Sequence, residues 1–394
     1  MALGKKTPVA FTFVNTGHDW HGGLNYFRSL FLALQAAPDA AVQPVAFIGQ
    51  RADFAGYGFP SNVRVVRDST FDRGSFKWFG DKVASKLFGV LWFTNRVLRR
   101  NGVSVLSHGV ATGDKSLKSI GWIPDFQHVH LPQFFPADEL VRRTKDYRKL
   151  TAASDLLIVS SESARADLES FAPRQSAKAR VLRFCAMPPR LEPDIFAELA
   201  ATYDLGSQYF YIPNQAWAHK NHLTAVRALA VLHRDYPELK VVCSGGLVDY
   251  RNPEHLDSLR AEIARHGLEQ RFILLGAIPY GHIAPLMLHS VAVINPSLFE
   301  GWSTTVEEAK SLGIPLVLSD IAVHREQCDR GQAAFFDSLD AGDLAARMRE
   351  KLLDGRRKID TAAALEEHRQ RIHEFALAYS RIVSELAALN FKIN

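Results

Sequence analysis

Short runs of branched and aromatic residues alternate with helix-patterned stretches along the whole chain, and this alternation narrows the choice of fold more than any other feature. In the first half, residues 8–14, 43–48, 63–66, 103–107 and 156–160 read as buried strands. In the second half, residues 210–212, 240–243, 272–275, 291–294 and 316–318 do the same. Helical patterns lie between them, among them 26–34, 223–234 and 304–311. Strands separated by helices pair in parallel through crossover connections, so the expected class is α/β built from βαβ units. Two such sets imply two Rossmann-like domains facing each other across a cleft. Pro188, Pro189 and Pro193 mark residues 185–194 as the linker between them. The expected division is 1–190, 191–374 and a terminal helix over 375–394. In that helix Phe375, Tyr379, Ile382, Leu386 and Leu389 fall on one face.

Composition removes several classes. The chain has 394 residues, 47% hydrophobic and 23% charged, which excludes a disordered tail protein and a collagen-like chain. Cys185, Cys243 and Cys328 are too few and too scattered for a disulfide framework or a zinc cluster, and a reducing, cytoplasmic setting fits them. No apolar run approaches the ~20 residues of a membrane-spanning helix. Lys5 and Lys6 before an apolar stretch resemble a signal peptide only superficially. Asn15, His18 and Asp19 follow at once, so a buried first strand is the better reading.

Charge is unevenly spread. Residues 1–190 hold 26 basic against 15 acidic side chains, and residues 191–394 hold 21 against 27. A basic first half could meet nucleic acid, an anionic membrane or a phosphate-bearing acceptor, or be a generic soluble lobe. From Arg73 to Arg100 seven basic residues accompany one acidic residue, Asp81, and are interleaved with Phe76, Trp78, Phe79, Phe88, Trp92 and Phe93. Such a segment suits an anionic membrane surface at the inner face of the cell. It also suits an amphipathic core helix with an ordinary basic outer side, and the sequence leans slightly to the latter. Nucleic acid fits less well, because no recognised binding module accompanies the charge.

Absent motifs exclude further chemistry. No P-loop occurs, and no G-x-G-x-x-G follows the first strand, where only Gly22 and Gly23 stand. There is no Asp-x-Asp pair to hold a divalent metal and no G-x-S-x-G elbow.

Two stretches remain that can carry chemistry. One runs from Asn295 to Lys310 as N-P-S-L-F-E-G-W-S-T-T-V-E-E-A-K. Ser303 or Thr304 can cap the helix that follows. Thr304 and Glu307 have capping-box spacing, which accounts for Glu307. Glu300 and Glu308 have no such account. The amides near Ser303 to Thr305 form a natural anion site, with carboxylates beside it to accept bonds from sugar hydroxyls. Two solvated glutamates on a surface helix are an equal alternative. The other stretch, Tyr211 to His222, contains Asn214 and Lys220 and opens a helix. A lysine at a helix N-terminus opposes the macrodipole, which makes sense where an anion shares the spot. A solvated lysine is the plainer alternative.

Together these motifs resemble the donor-site signature of glycosyltransferase family 4, whose fold is GT-B. The match includes Glu300-x7-Glu308, then Gly313-Ile314-Pro315 and Ser319-Asp320, and it is strongest over residues 210–327. The resemblance implies a retaining transfer of a hexose, mannose as first guess, from a nucleotide-diphosphate sugar. The acceptor would be a saccharide or a lipid-linked molecule, in polysaccharide or glycolipid biosynthesis, with neither metal nor cofactor. Lys220 would stabilise the leaving diphosphate. Asn214 stands where relatives carry an arginine, so amides of Ser303–Thr305 or of Gly22 and Gly23 would compensate. Glu308 matches the ribose ligand and Glu300 the carboxylate at the donor sugar, with Gly301, Trp302, Ser303 and Thr304 in the same motif. Ile278 matches the base contact. Ser161, His128 and His130 match the acceptor side, with His128 the preferred catalytic histidine. The resemblance also implies that the terminal helix packs back on the first domain. A nucleotide-sugar epimerase, a phosphorylase or a non-catalytic sugar-nucleotide-binding protein are the alternatives.

Overall fold

The computed structural model describes residues 6–14, 21–52, 58–188, 195–355 and 359–388. The chain divides into two compact units. The first comprises Met1–Phe126, Arg142–Ala186 and Arg369–Asn394, and the second Gln127–Val141 and Met187–His368.

The first unit holds seven strands: β1 (Thr7–Phe13), β2 (Val42–Ile48), β3 (Arg64–Arg67), β4 (Val105–Ser107), β5 (Lys118–Ile123), β6 (Leu156–Val159) and β7 (Ala179–Val181). Their order is β3-β2-β1-β4-β5-β6-β7, and every pairing is parallel. Thr7 lies opposite Val42 on one side of β1, and Val9 opposite Val105 on the other. Consecutive residues Val9, Ala10 and Phe11 are all buried, as expected of a parallel strand covered on both faces. The order reverses between β1 and β4, which makes that gap the topological switch point.

The second unit repeats the plan with β8 (Tyr209–Ile212), β9 (Lys240–Cys243), β10 (Phe272–Leu274), β11 (Val293–Asn295), β12 (Leu316–Ser319) and β13 (Ala333–Phe336). Their order is β10-β9-β8-β11-β12-β13, again parallel throughout, with the switch point between β8 and β11. The chain thus forms the expected α/β class with two parallel, Rossmann-like sheets.

Three strands escaped the sequence pattern. β5 contains Lys118, Ser119 and Gly121, which read as polar or turn-like. Ser119 is satisfied by Asp155, whose carboxylate accepts from its amide at 2.8 Å and its hydroxyl at 3.1 Å. β7 and β13 are edge strands, where one neighbour suffices and the apolar run is short.

The terminal helix, Thr361–Ala388, buries Phe375, Tyr379, Ile382 and Leu386, whereas Leu389 lies outside the described residues. Tyr379 packs 6.2 Å from Phe11, and Ser380 Oγ accepts from the Ala41 amide at 3.0 Å, both within the first unit. Glu385 is clamped by the Arg180 guanidinium, whose Nε donates at 2.8 Å. Of the expected linker, Cys185 is buried in the first unit and residues 189–194 lie outside the described residues.

The helix Phe76–Phe88 differs from the leaning to an ordinary basic outer side. Its buried residues are Asp81 and Ala84, while Phe76, Phe79, Val83, Leu87 and Phe88 stand in solvent. Among the described residues no helix is long and apolar enough to cross a membrane.

Candidate active site

In the second unit, loops leaving the carboxyl ends of β8 and β11 bring Lys220 to Glu300, and the loop after β10 brings Tyr280 to Glu308. After β8 the chain makes a 3₁₀ turn, Ala218–Lys220, then Asn221 at φ 57°, then the helix His222–Leu232. Asn221 tolerates the left-handed region, and its side chain donates to Pro296 O at 3.1 Å and Ser338 O at 2.8 Å. The turn is tied down twice more. Asp249 accepts from the Ala218 amide at 3.0 Å, and the Leu298 amide donates to His219 O at 2.8 Å. Lys220 is therefore carried on a braced turn just ahead of a helix.

After β11 the chain passes through Ser297 to Glu300 and enters the helix Thr304–Ser311. Lys220 Nζ donates to Glu300 Oε1 at 2.6 Å, and Ser297 Oγ lies 2.7 Å from the same oxygen. Their side chains are 19% and 9% exposed, so the pair is partly desolvated and worth more than a surface ion pair. Burial alone would raise the Glu300 carboxyl's pKa; the Lys220 ammonium and its hydrogen bond outweigh that and hold it below the ordinary value. Neighbouring His219 and His222 are kept neutral by burial, which pushes both down to about 3.

Glu308, on the helix, behaves in the opposite way. Among the described residues no cation is paired with it. Burial raises its pKa to about 7, and the one opposing influence is the Tyr280 hydroxyl, which donates to Oε1 at 3.0 Å. Tyr280 follows the Leu275-to-Pro279 loop after β10, where partly buried Ile278 packs on the core of the unit. The site thus holds one carboxylate kept ionised and one held near neutrality.

Several expectations change. Ser303 is the N-cap, its oxygen accepting from the Val306 amide, so Thr304 is the first helical residue and Glu307 is no capping-box partner. Glu307 is instead bonded by Gln327 Nε2 at 3.1 Å. The Ser303 amide is also spoken for, donating to Gln327 Oε1 at 3.0 Å, which leaves the amides after it as the anion donors. Asn214, placed on the donor side by the resemblance, is tied into the loops by its own hydrogen bonds. It donates to Asn295 Oδ1 at 3.1 Å and accepts from Thr305 Oγ1 at 2.8 Å, and Asn295 in turn donates to Ser303 Oγ at 2.7 Å. Gly301 and Trp302 are half-buried between Glu300 and the cap.

The two histidines exchange places. His128 is 3% exposed and lies edge-on to Phe135. His130 is exposed and stacks 4.9 Å from Phe299, the residue before Glu300. Arg251 holds this segment in the second unit, with its guanidinium 4.3 Å from the Phe135 ring and 3.5 Å from Glu139. In the first unit, Ser161 is fully buried and its oxygen caps the helix Glu162–Phe171, which argues against an acceptor contact. Gly22 and Gly23 lie in the first turn of the helix His21–Ala36, where amides lack intrahelical acceptors.

Sequence reasoning passed over Ser297, Tyr280 and Gln327, which have partners 3 to 28 positions away. It also passed over His108, in the left-handed region at the end of β4 and bonded to the Tyr26 hydroxyl at 2.8 Å. The Ser-His-Gly turn after that strand was the available signal.

Gly245 illustrates how tightly these loops pack. Its φ is +133°, and a Cβ there would lie 2.7 Å from the Asn214 carbonyl carbon and the Gln215 nitrogen. Gly245→Ala is expected to cost about 3 kcal/mol through strain and overpacking. Urea unfolding should show a lower midpoint with an unchanged slope.

Among the described residues no group of three or more His, Cys, Asp or Glu could hold a metal ion.

The fold matches solved structures over nearly the whole chain. A sucrose-phosphate synthase from Thermosynechococcus elongatus shares 16% identity, covering 98% of this chain and 100% of its own, with a TM-score of 0.68. A glycosyltransferase from Rickettsia africae shares 15%, covering 98% of each chain, at 0.65. Anabaena HepE in complex with UDP and glucose shares 16%, covering 99% of each, at 0.60. No curated protein matches the chain by sequence. The family model described as "Glycosyl transferases group 1" matches residues 203–376, the stretch that holds Lys220, Tyr280, Glu300 and Glu308. The chain is thus similar to the group 1 glycosyltransferases over those residues, and its fold is that of the GT-B structures it matches.

Proposed function

We propose that the protein transfers a hexose from a nucleotide-diphosphate sugar, with retention, to a saccharide or lipid-linked acceptor in polysaccharide or glycolipid biosynthesis. The observation that carries this reading is the Lys220–Glu300 pair at the switch point of the second sheet, where open α/β sheets bind ligands. In the reaction the anomeric carbon–oxygen bond to the diphosphate breaks, and its electron pair stays on the diphosphate oxygen. Lys220 meets that growing charge, with the amides beyond Ser303 beside it. The acceptor hydroxyl bonds to the same face of the anomeric carbon, and its proton passes to the departing phosphate. Glu300, held ionised, accepts bonds from the donor sugar, and Glu308 accepts them from the ribose. No metal enters this scheme.

On the acceptor side the role passes from His128 to His130, because only the latter is exposed. The working location is the cytoplasm, at the inner face of an anionic membrane. Glucose joins mannose as a sugar to test, since the HepE structures include one with UDP-glucose. The experiment is a panel of nucleotide-sugars with nucleotide release as readout. Turnover of one donor is the expected outcome; folded protein that neither binds nor turns over any donor would defeat the reading.

A further inference from the structure

We propose that the outer face of the helix Phe76–Phe88, continued by Trp92, docks on an anionic lipid surface. This rests on the reading above and narrows it, because it selects the lipid-linked class of acceptor. Phe76, Phe79, Val83 and Leu87 recur at intervals of three and four and form one stripe. They are 84%, 55%, 57% and 67% exposed, and Phe88 and Trp92 add 61% and 55%. Phe88 and Trp92 stack on each other at 5.2 Å, which makes the apolar face continuous across the turn between two helices. Scattered apolar side chains are ordinary on a soluble surface; a contiguous stripe of this kind marks an interaction face.

Charge identifies what covers it. Asp81, the one acidic residue of the segment, is turned inward and accepts from the Phe93 amide at 2.7 Å and the Thr94 amide at 3.0 Å. Lys77 is paired with Asp68 and Arg99 with Asp114. Lys82, Lys86, Arg96 and Arg100 have no carboxylate partner among the described residues, so the face is positive where it is apolar. Long basic side chains can lay their stems along the apolar stripe and reach phosphate headgroups. A second copy of the chain seated on the same patch would set Lys82 and Lys86 against like charge.

The inner side of the helix adds a second reason. Trp78 and Lys82 wall a cavity of about 240 Å³ whose other lining includes Thr12 and Val14 from the end of β1 and Leu106 and Val110 from the end of β4. That is the switch point of the first sheet, the place where such a sheet binds ligands. Docking the helix would set this cavity at the level of the headgroups.

The test uses the full chain and sedimentation with vesicles of phosphatidylcholine, alone or mixed with phosphatidylglycerol. The expected result is binding to the mixed vesicles and at least about tenfold weaker binding to the neutral ones. The variant F79S/L87S/F88S should bind the mixed vesicles at least about tenfold more weakly. K86E/R96E, which leaves the cavity wall untouched, should bind more weakly as well. Both should keep the wild-type circular dichroism and nucleotide release in vesicle-free solution. Undiminished binding by the serine variant would overturn the proposal in favour of charge alone. Absence of vesicle binding, with a dimer in sedimentation velocity that the serine variant dissociates, would assign the face to a second copy. Nucleotide release needs no vesicle, so failure of the docking face and failure of the transferase reading are separately visible.

Discussion

Lys220→Ala is expected to lower turnover of the donor by about 10²–10³-fold, the usual consequence of removing one preorganised group from a developing negative charge. The same substitution also strands Glu300, which is 9% exposed and bonded to the ammonium at 2.6 Å. Breaking a buried pair from one side costs about 3–5 kcal/mol; with the lysine 19% exposed, solvent relieves part of that, and about 2 kcal/mol is expected here. The two losses separate in the variant K220M/E300Q, which removes both charges. It should recover much of the stability while remaining as poor a catalyst. Acid unfolding offers an independent check. The Glu300 carboxyl titrates below its unfolded value, so the pair's stabilisation is present above that value and is lost as pH falls through the lower, folded one. That loss should be visible in the wild type below about pH 4.5 and reduced in Lys220→Ala. Unchanged turnover in Lys220→Ala would mean that the donor is held elsewhere.

The parts of this site that were legible are those whose partners are near in sequence. Glu300 and Glu308 lie in one strand–turn–helix unit, and the helix Thr304–Ser311 has the bounds its pattern predicts. Lys220 stood out because a cation before a helix needs a reason, but its partner is 80 positions away and only the sheet order joins β8 to β11. The cap shows how little error matters before chemistry shifts. Of the two candidate caps, Ser303 and Thr304, the chain uses Ser303, which takes Glu307 out of the capping box and leaves it to Gln327.

His128 and His130 were not separable for a similar reason. They are two residues apart on the one-turn helix Gln127–His130, which puts them on opposite sides. Which side is covered depends on Phe135 and Arg251, and neither contact leaves a mark in the local sequence. The bonds of Asn214, to Asn295 and Thr305, were not legible either, because those partners lie 81 and 91 positions away. Both sheets were legible as alternating strands and helices, and β5, β7 and β13 were not, since a polar or edge strand lacks a continuous apolar run.

Glu308→Gln should separate stability from donor binding more clearly than any other change. The Glu308 pKa is raised to about 7 by burial, so the folded protein holds this proton more tightly than the unfolded chain does. Stability is therefore highest below the unfolded value near 4.5, falls as pH rises toward 7, and is constant above that. The total loss is about 3 kcal/mol. Glutamine keeps an oxygen for the Tyr280 hydroxyl and carries no charge, so at pH 8 the variant should be more stable than the wild type by up to that amount. Donor binding should run the other way. Ribose hydroxyls donate best to the ionised carboxylate, so a nucleotide-sugar should draw the proton off Glu308 as it binds. Wild-type affinity should then rise from pH 5 to about 7 and level off, with proton release visible by calorimetry in buffers of different ionisation enthalpy. The diphosphate diester is fully ionised over this range and adds no slope of its own. Glu308→Gln should bind about 10–100-fold more weakly at pH 8, with no proton release and a flat profile. If the variant binds as tightly as the wild type and the wild-type profile is already flat, Glu308 is not the ribose ligand, and its burial serves the fold alone.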